Sequence, residues 1–186
     1  MELRRPRPPL PAVVGVIENV RSLWNVGSMF RSADGAGVHR LVLCGFTAHP
    51  PRDEISKTAL GAERVVPWEY WSKAAEACAS LRDEGFQVIA LERAPASVDL
   101  DTVELQAPVA LVVGHEIEGV SEATRMACDL TAHIPMFGTK QSLNVAVAFG
   151  VAAYTLRRRL GVDALHRASD ETTLGPPGAP CDRRAP

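Results

Sequence analysis

Residues 134–149 read Ile-Pro-Met-Phe-Gly-Thr-Lys-Gln-Ser-Leu-Asn-Val-Ala-Val-Ala-Phe, and the fold of the chain is organised around them. Pro135 and Gly138 interrupt regular structure, and a short polar loop then leads to Ser142. We predict that Ser142 is the N-cap of a helix, because its hydroxyl can accept hydrogen bonds from the free amides of the first turn. Residues 143–156 are apolar around nearly the whole helix circumference, which predicts burial on more than one side.

Asn144 is the polar exception at the start of this helix. A buried amide without hydrogen-bond partners costs about 1–3 kcal/mol, so its partners matter. Two interpretations follow: Asn144 braces the preceding loop, or it contacts a ligand. The local pattern alone favours the bracing role.

Two further stretches resemble a known set of motifs. Residues 19–34 contain Asn25, Gly27 and Arg31 in the pattern Asn-x-Gly-x-x-x-Arg, and residues 111–121 contain Gly-His-Glu-Ile-Glu-Gly. Together with 134–149 they resemble, in order, the three signature motifs of the SpoU/TrmH branch of the SPOUT RNA methyltransferases. The resemblance covers roughly residues 13–156. Three motifs in order, each at a predicted element boundary, make it specific.

Length, net charge and cysteine spacing limit the number of domains and the kinds of partner. A chain of 186 residues is long enough for one well-buried domain, and its net charge of -2 gives no overall attraction to nucleic acid. Any RNA-binding surface would therefore be local. The four cysteines are widely spaced without Cys-x-x-Cys, which indicates free thiols in a reducing compartment and no metal site. Without a signal-like or membrane-spanning segment, we expect a cytoplasmic protein.

Apolar runs alternate with helical patterns along the chain. Strands are predicted at 12–17, 40–44, 64–67, 87–91, 108–113 and 130–134. Helices are predicted at 26–33, with Asn25 as the N-cap, and near 55–60. A third helix follows the aromatic residues 68–71 and runs to about residue 84. Two more are predicted at 120–127, with Ser121 as the N-cap, and from Ser142 to Gly161. Solid apolar strands that alternate with helices predict an α/β fold, with a parallel sheet flanked by helices on both faces.

The predicted domain organisation is simple. Residues 1–11 should form a flexible basic and proline-rich arm, residues 12–161 a single domain, and residues 162–186 a disordered tail. The aromatic cluster Trp68, Tyr70 and Trp71 could stack on bases, but packing of a helix entry against the sheet is the favoured interpretation.

Ligands of open parallel sheets bind outside the carboxyl ends of the strands. These ends lie at Val113-Gly114, at Ile134 and in the loop after Ile17, so the three motifs are expected to converge on one site. Neither a Gly-x-Gly-x-x-Gly loop after the first strand nor a Walker loop is present, which disfavours an ordinary nucleotide site.

The resemblance implies a C-terminal deep trefoil knot whose loops hold S-adenosyl-L-methionine. It also implies methyl transfer to a ribose 2′-hydroxyl of tRNA or rRNA. The residues that match the family's cofactor-binding positions are Val113, Gly114, His115, Glu116, Ile134, Met136, Gly138, Ser142, Leu143 and Asn144. The residues that match its catalytic positions are Arg31, Asn25, Glu116, Ser142 and Asn144.

Physical chemistry limits what Arg31 can do, because a guanidinium is essentially never deprotonated in a protein. We expect Arg31 to orient the hydroxyl and to stabilise the developing alkoxide, with an RNA phosphate as a further partner. The proton acceptor would be that phosphate, water or Glu116. Glu116 has a structural alternative, in which it fixes Asn25 and the motif loops through backbone amides.

His115 departs from the family pattern, which usually has Asn at this position. Imidazole can still donate and accept one hydrogen bond, so cofactor binding should persist, and pH sensitivity near neutrality is a second possibility.

The resemblance also implies a homodimer, with an interface around Val147, Val151 and Tyr154. RNA would be held by Arg21, Arg157 and Arg158, with Arg5, Arg7 and Arg159, or by a separate partner. Two rival functions stay open: a non-catalytic RNA-binding paralogue, and an S-adenosylmethionine-dependent methyltransferase with a non-RNA substrate.

Overall fold

A seven-stranded parallel sheet forms the centre of the protein in the computed structural model, which describes residues 12–173. The strands are β1 (Val13–Glu18), β2 (Arg40–Cys44), β3 (Trp68–Trp71), β4 (Gln87–Leu91), β5 (Val98–Asp99), β6 (Val109–Val113) and β7 (Leu130–His133). They are arranged in the order β3-β2-β1-β6-β4-β7-β5, and every neighbouring pair is parallel. The predicted parallel α/β fold is confirmed.

Six helices of the described chain connect and cover these strands. They are α1 (Leu23–Ala36), α2 (Asp53–Ala59), α3 (Ala62–Val65), α4 (Ala74–Asp83), α5 (Glu122–Met126) and α6 (Val145–Thr173). Two apolar clusters lie on opposite faces of the sheet, one including residues of α1, α2 and α6 and the other residues of α4. Successive side chains of a strand point to opposite faces. Accordingly, Val13 and Ile17 of β1 join the first cluster, whereas Val14 and Val16 join the second.

Helix α6 packs against both the sheet and α1 and leaves its remaining face exposed. Phe149 is fully buried, and a Cβ added to Gly15 of β1 would collide with its ring, so the absence of a side chain there lets α6 approach the sheet closely. On the opposite side Val147, Val151 and Tyr154 are 52%, 42% and 46% exposed. The expected burial on more than one side is therefore confirmed, since α6 packs on both the sheet and α1, but its third face is exposed in the single chain.

The predicted caps of two helices are displaced by a few residues. Ser22 rather than Asn25 caps α1, because the helix begins at Leu23 and the Ser22 hydroxyl accepts from the Asn25 amide. Asn144 rather than Ser142 caps α6, since its Oδ1 accepts from the amides of Ala146 and Val147. The cap predicted at Ser121 is confirmed, with its hydroxyl accepting from the Thr124 amide.

Two predicted boundaries are wrong. The strand expected at residues 64–67 is displaced to β3, because α3 continues to Val65 and the chain becomes extended only afterwards. Helix α6 does not end at Gly161 but runs on to Thr173, since a glycine can continue a helix at a cost of only about 1 kcal/mol. The predicted arm at 1–11 and the end of the predicted tail lie outside the described residues.

Candidate functional site

Three side chains from distant parts of the sequence join the three motifs. Asn144 donates from Nδ2 to Oδ1 of Asn25 over 3.2 Å, and Asn25 donates from its own Nδ2 to Oε1 of Glu116 over 3.2 Å. Asn25 lies in the first turn of α1, Glu116 follows β6, and Asn144 precedes α6. The structure therefore brings together Asn25, Glu116 and Asn144, as the sequence predicts, although Asn144 is exposed rather than buried.

The orientation of both amides in this chain of hydrogen bonds follows from its two ends. The Oδ1 of Asn144 accepts from the first amides of α6, so its Nδ2 must face Asn25. At the other end the ionised carboxylate of Glu116 can only accept, so Asn25 must present its Nδ2 there and its Oδ1 to Asn144. Each of the two asparagines thus donates through its Nδ2 and accepts through its Oδ1.

Glu116 also accepts hydrogen bonds from the backbone of the loop before α1. Its Oε2 accepts from the Arg21 amide over 3.1 Å, and its Oε1 accepts from the Ser22 amide over 3.0 Å. Partial burial acts to raise the pKa of this carboxyl, but the amides of Ser22 and Arg21 and the Asn25 side chain outweigh it and hold the pKa below its ordinary value. A carboxylate engaged in this way is a poor proton acceptor, which favours the structural role of Glu116.

A cavity of about 220 Å³, here named the carboxyl-edge cavity, opens at the carboxyl ends of β4, β6 and β7. Eight of the ten predicted cofactor-binding residues line it: Val113, Gly114, His115, Glu116, Ile134, Met136, Ser142 and Leu143. Gly138 and Asn144 are not among the lining residues. Asn144 instead lies one step behind the wall, where it holds the start of α6 and Asn25.

The sequence interpretation missed one side of this cavity. Leu91, Glu92 and Arg93, which follow β4, are lining residues. Glu92 is fixed there, because its Oε2 accepts from the Val120 amide and its Oε1 from the Arg93 amide. The carboxyl end of the predicted strand at 87–91 was a signal for these residues. Its position between β6 and β7 was not readable from the sequence.

The remaining wall residues that the sequence did not single out come from the same loops and from α6. They are Ile117, Glu118, Gly119, His133, Gln141, Val145 and Ala148. The cavity therefore combines apolar side chains with a similar number of polar and charged ones, among them Glu92, Arg93 and Gln141.

Arg31 lies on the exposed surface of α1, two turns after the helix begins. Its guanidinium makes no hydrogen bond or ion pair with another residue of the described chain. Gly27, one turn earlier, is a site of close approach, since a Cβ there would collide with Thr58 and the Ile55 carbonyl of α2. The absence of a side chain at Gly27 thus lets α2 pack closely against α1.

His115 takes the acceptor role expected of the amide that it replaces. Its Nδ1 faces the amides of Ile117 and Glu118, each at 3.2 Å, and must therefore accept from both. This arrangement fixes the turn that forms one wall of the carboxyl-edge cavity.

The three arginines near residue 158 have different environments. Arg157 and Arg158 are exposed on α6. Arg159 instead donates to the carbonyls of Leu100 and Val103, over 2.8 and 2.6 Å. The Arg159 guanidinium thus ties α6 to the loop after β5, and its contact with RNA stays a prediction.

The thiol of Cys44 does not line the carboxyl-edge cavity. Burial raises the pKa of the Cys44 thiol to about 12, so this thiol is not a nucleophile near neutral pH. Within residues 12–173, no cluster of three or more His, Cys, Asp or Glu side chains is placed to hold a metal ion. None of the helices in that range has both the length and the apolarity needed to cross a bilayer.

Comparison with known proteins assigns the family. The model of the SpoU rRNA Methylase family matches residues 12–154. A 23S rRNA (guanosine-2′-O-)-methyltransferase RlmB from Nitrosomonas europaea is 35% identical over 149 residues, which are 80% of this chain and 57% of that protein. The chain thus spans a little over half the length of this relative.

Two solved structures are similar over most of the chain. An AdoMet-bound rRNA methyltransferase from Sinorhizobium meliloti superposes with a TM-score of 0.74 at 29% identity, covering 80% of this chain and 57% of that one. The A. aeolicus TrmH/SpoU tRNA modifying enzyme gives a TM-score of 0.75 at 27% identity, covering 84% and 79%. With its three motifs joined at one cavity, the chain belongs to the SpoU rRNA methylase family.

Proposed function

We propose that this protein transfers a methyl group from S-adenosyl-L-methionine to a ribose 2′-hydroxyl of tRNA or rRNA. One observation carries the proposal: hydrogen bonds from Glu116 through Asn25 to Asn144 hold the first turn of α1 against the wall of the carboxyl-edge cavity. The arginine of the same helix, Arg31, is thereby held on an element that begins beside the cavity. Membership of the SpoU rRNA methylase family and the activity named for the RlmB relative support the same reaction.

The residues of the carboxyl-edge cavity fit the cofactor. Leu91, Ile134 and Leu143 supply apolar surface for a purine ring, and Ser142 and nearby loop backbone supply polar groups. When bound, the cofactor supplies an electrophilic methyl group on a sulfonium, so the methyl donor needs no activation by the protein. The protein's task is to orient the acceptor and to exclude water.

Arg31 is assigned to the acceptor hydroxyl. An exposed, uncommitted guanidinium can donate to the hydroxyl oxygen and stabilise the negative charge that develops there. A planar fork can at the same time pair with a neighbouring phosphate. Because the pKa of Glu116 is lowered and its oxygens are already occupied, the proton passes to a phosphate or to water rather than to Glu116.

The proposal extends to topology and assembly. The chain from β7 to α6 forms the trefoil knot implied by the family resemblance, and residues 12–161 act as one domain. Two chains pair through the exposed face of Val147, Val151 and Tyr154. Arg21, Arg157 and Arg158 contact the RNA backbone, and the reaction takes place where these RNAs are matured, in the cytoplasm.

Mapping of 2′-O-methyl groups tests the proposed function directly. The purified full chain is incubated with S-adenosylmethionine and either total tRNA or deproteinised rRNA from a deletion strain. A new 2′-O-methyl group at a defined nucleotide, absent from the strain and absent with Arg31→Ala, is the expected result. If neither RNA pool gains a methyl group while the protein binds the cofactor, the proposal that tRNA or rRNA is the substrate is wrong. If the cofactor does not bind, the methyl-transfer proposal is wrong.

A further inference from the structure

A second depression, here named the Arg21 depression, adjoins the carboxyl-edge cavity. It has a volume of about 350 Å³ and is lined by Arg21, Ser22, His115, Glu116 and Ile117. His115, Glu116 and Ile117 also line the carboxyl-edge cavity, so this segment forms a shared wall between the two.

Phe46 packs on this shared wall. Its ring meets the His115 ring edge to face, with centroids 6.0 Å apart and planes at 79°. The residue is nevertheless 61% exposed, so much of the ring remains in water. An exposed aromatic ring beside a site is a natural partner for another planar group.

The backbone holds Phe46 in this exposed position. Its amide donates to Oδ1 of Asn19 over 3.2 Å, and a Cβ on the preceding Gly45, whose φ is +64°, would collide with that same oxygen. The Gly45 carbonyl accepts from the Tyr70 hydroxyl over 2.8 Å. The following residue, Thr47, is buried: its hydroxyl donates to the Ile17 carbonyl and accepts from the Val20 amide. The ring is therefore preorganised at the surface by residues fixed before and after it.

The charge around the Arg21 depression favours one class of occupant. The guanidinium of Arg21 is exposed and makes no hydrogen bond or ion pair with any other described residue, while the facing carboxylate of Glu116 is already bonded to backbone amides. The exposed cation at the depression and the exposed aromatic ring packed on His115 are complementary to a phosphate and a base. Single-stranded RNA is recognised by this combination of stacking on aromatic rings and pairing of phosphates with arginine.

We infer that a nucleotide of the substrate RNA binds across the Arg21 depression and the neighbouring Phe46, with its phosphate paired with Arg21 and its base stacked on the Phe46 ring. This inference rests on the proposed function and extends it by naming the residue that recognises a base. Phe46 lies outside the three motifs, so neither the sequence pattern nor the cofactor site identifies it. Stacking tolerates any base, and Phe46 therefore contributes affinity and positioning rather than a strict sequence preference.

Binding of two matched oligonucleotides tests the inference. The probes are a fluorescein-labelled single-stranded RNA of mixed sequence and an abasic strand with the same number of phosphates. Phe46→Ala is expected to weaken binding of the RNA by roughly 5- to 150-fold and to leave binding of the abasic strand unchanged, because only the first probe has bases to stack. Phe46→Trp should restore RNA binding. Met126→Ala, which truncates another exposed apolar residue, on α5, is the matched control and should bind both probes like the wild type.

The outcomes separate this inference from the proposed function. If wild-type protein binds RNA and Phe46→Ala binds it equally well, only the stacking role is wrong. If Phe46→Ala weakens binding of both probes equally, the ring does not contact bases. If wild-type protein does not bind RNA at all, the proposal of an RNA substrate is wrong, and the stacking role of Phe46 is wrong with it. A change in sedimentation mass on Phe46→Ala would show that a second copy of the chain, not RNA, covers the ring.

Discussion

The side chain of Asn144 donates to that of Asn25 over 3.2 Å, although 119 residues separate them in sequence. Through its Oδ1 the same Asn144 caps α6, and through its Nδ2 Asn25 reaches Glu116. One short path thus connects the starts of two helices and the loop after β6. A substitution at any member is expected to alter both the stability of the fold and the shape of the carboxyl-edge cavity.

Asn144→Ala is expected to lower both the stability and the cofactor affinity. The loss of the cap and of the bond to Asn25 should reduce the free energy of unfolding by about 1–2 kcal/mol, as measured by urea denaturation. Affinity for S-adenosylmethionine, measured by calorimetry, should fall because the loop before α6 is no longer fixed.

Asn144→Asp is the matched control for this experiment. Aspartate retains an acceptor for the cap but has no amide to donate to Asn25. Most of the stability should return while the cofactor affinity stays reduced. An Asn144→Ala protein with wild-type stability and wild-type affinity would contradict the bracing role.

Glu116 should make stability depend on pH in the acid range. Its folded-state pKa is lower than the ordinary value of 4.5, so its contribution to stability is present above that pH and is lost as the pH falls through the folded-state pKa. Glu116→Gln should therefore be less stable than wild type at pH 7, and the difference should narrow below about pH 4.5. Urea midpoints measured between pH 3 and pH 7 give this dependence.

Glu118→Gln serves as the control, because the Glu118 side chain is exposed and its backbone amide, not its carboxylate, bonds to His115. Its stability difference from wild type should be small at every pH. If Glu116→Gln and wild type differ by the same amount at pH 3 and pH 7, the depressed pKa is wrong.

The sequence predicted the sheet well because its strands are solid apolar runs with clear ends. β2 and β4 match their predicted bounds to the residue. Helix starts were less predictable where two capping residues compete. Ser121 has no competitor, but Ser22 stands three residues before Asn25, and the Asn25 side chain is engaged by residues 91 and 119 positions away. No local pattern records such partners.

The residues of the carboxyl-edge cavity were likewise predictable only where a local sequence signal marks them. Val113 and Ile134 were predicted to line it because they end strands, and the rule applied equally to Leu91. That rule identifies the edge of the sheet but does not say which strands are adjacent. The position of β4 between β6 and β7 comes from the crossover connections. Phe46 escaped prediction for a related reason, since its contact with His115 joins loops 69 positions apart.

His115→Asn should be well tolerated. In both residues the accepting atom is bonded to Cγ, so an Asn Oδ1 can occupy the position from which His115 Nδ1 accepts the amides of Ile117 and Glu118. The free energy of unfolding should change by less than about 0.5 kcal/mol. His115→Ala removes the acceptor of both hydrogen bonds and should cost about 0.5–1.5 kcal/mol per bond lost. Equal effects of the two variants in urea denaturation would contradict this role.

The exposed face of α6 should pair two chains. Sedimentation of the wild type at micromolar concentration is expected to give the mass of a dimer. Val151→Lys should shift it towards the single-chain mass, because a lysine in an apolar interface would leave its charge desolvated. Val65→Lys on α3, where the valine is 58% exposed, is the control and should not alter the mass. A wild-type mass of one chain at all concentrations would exclude this interface.

Arg31 allows catalysis to be separated from binding. If its guanidinium stabilises the alkoxide, Arg31→Ala should lower single-turnover methylation by about 10²–10³-fold, the loss that follows removal of comparable electrostatic donors. Cofactor affinity should hardly change, because Arg31 is not among the residues that line the carboxyl-edge cavity. Arg31→Lys should also be slow, since an ammonium cannot reproduce a planar fork that bridges hydroxyl and phosphate.

Arg158→Ala provides the contrast, because Arg158 is exposed on α6 and is assigned only to the RNA backbone. It should weaken RNA binding and reduce the slope of log affinity against log salt concentration by about 0.7, the value for one phosphate contact on a single strand. At saturating RNA its single-turnover rate should equal that of the wild type. If Arg31→Ala behaved in the same way, with a full rate at saturating RNA, Arg31 would be a binding residue and the charge on the acceptor oxygen would have to be stabilised by another group.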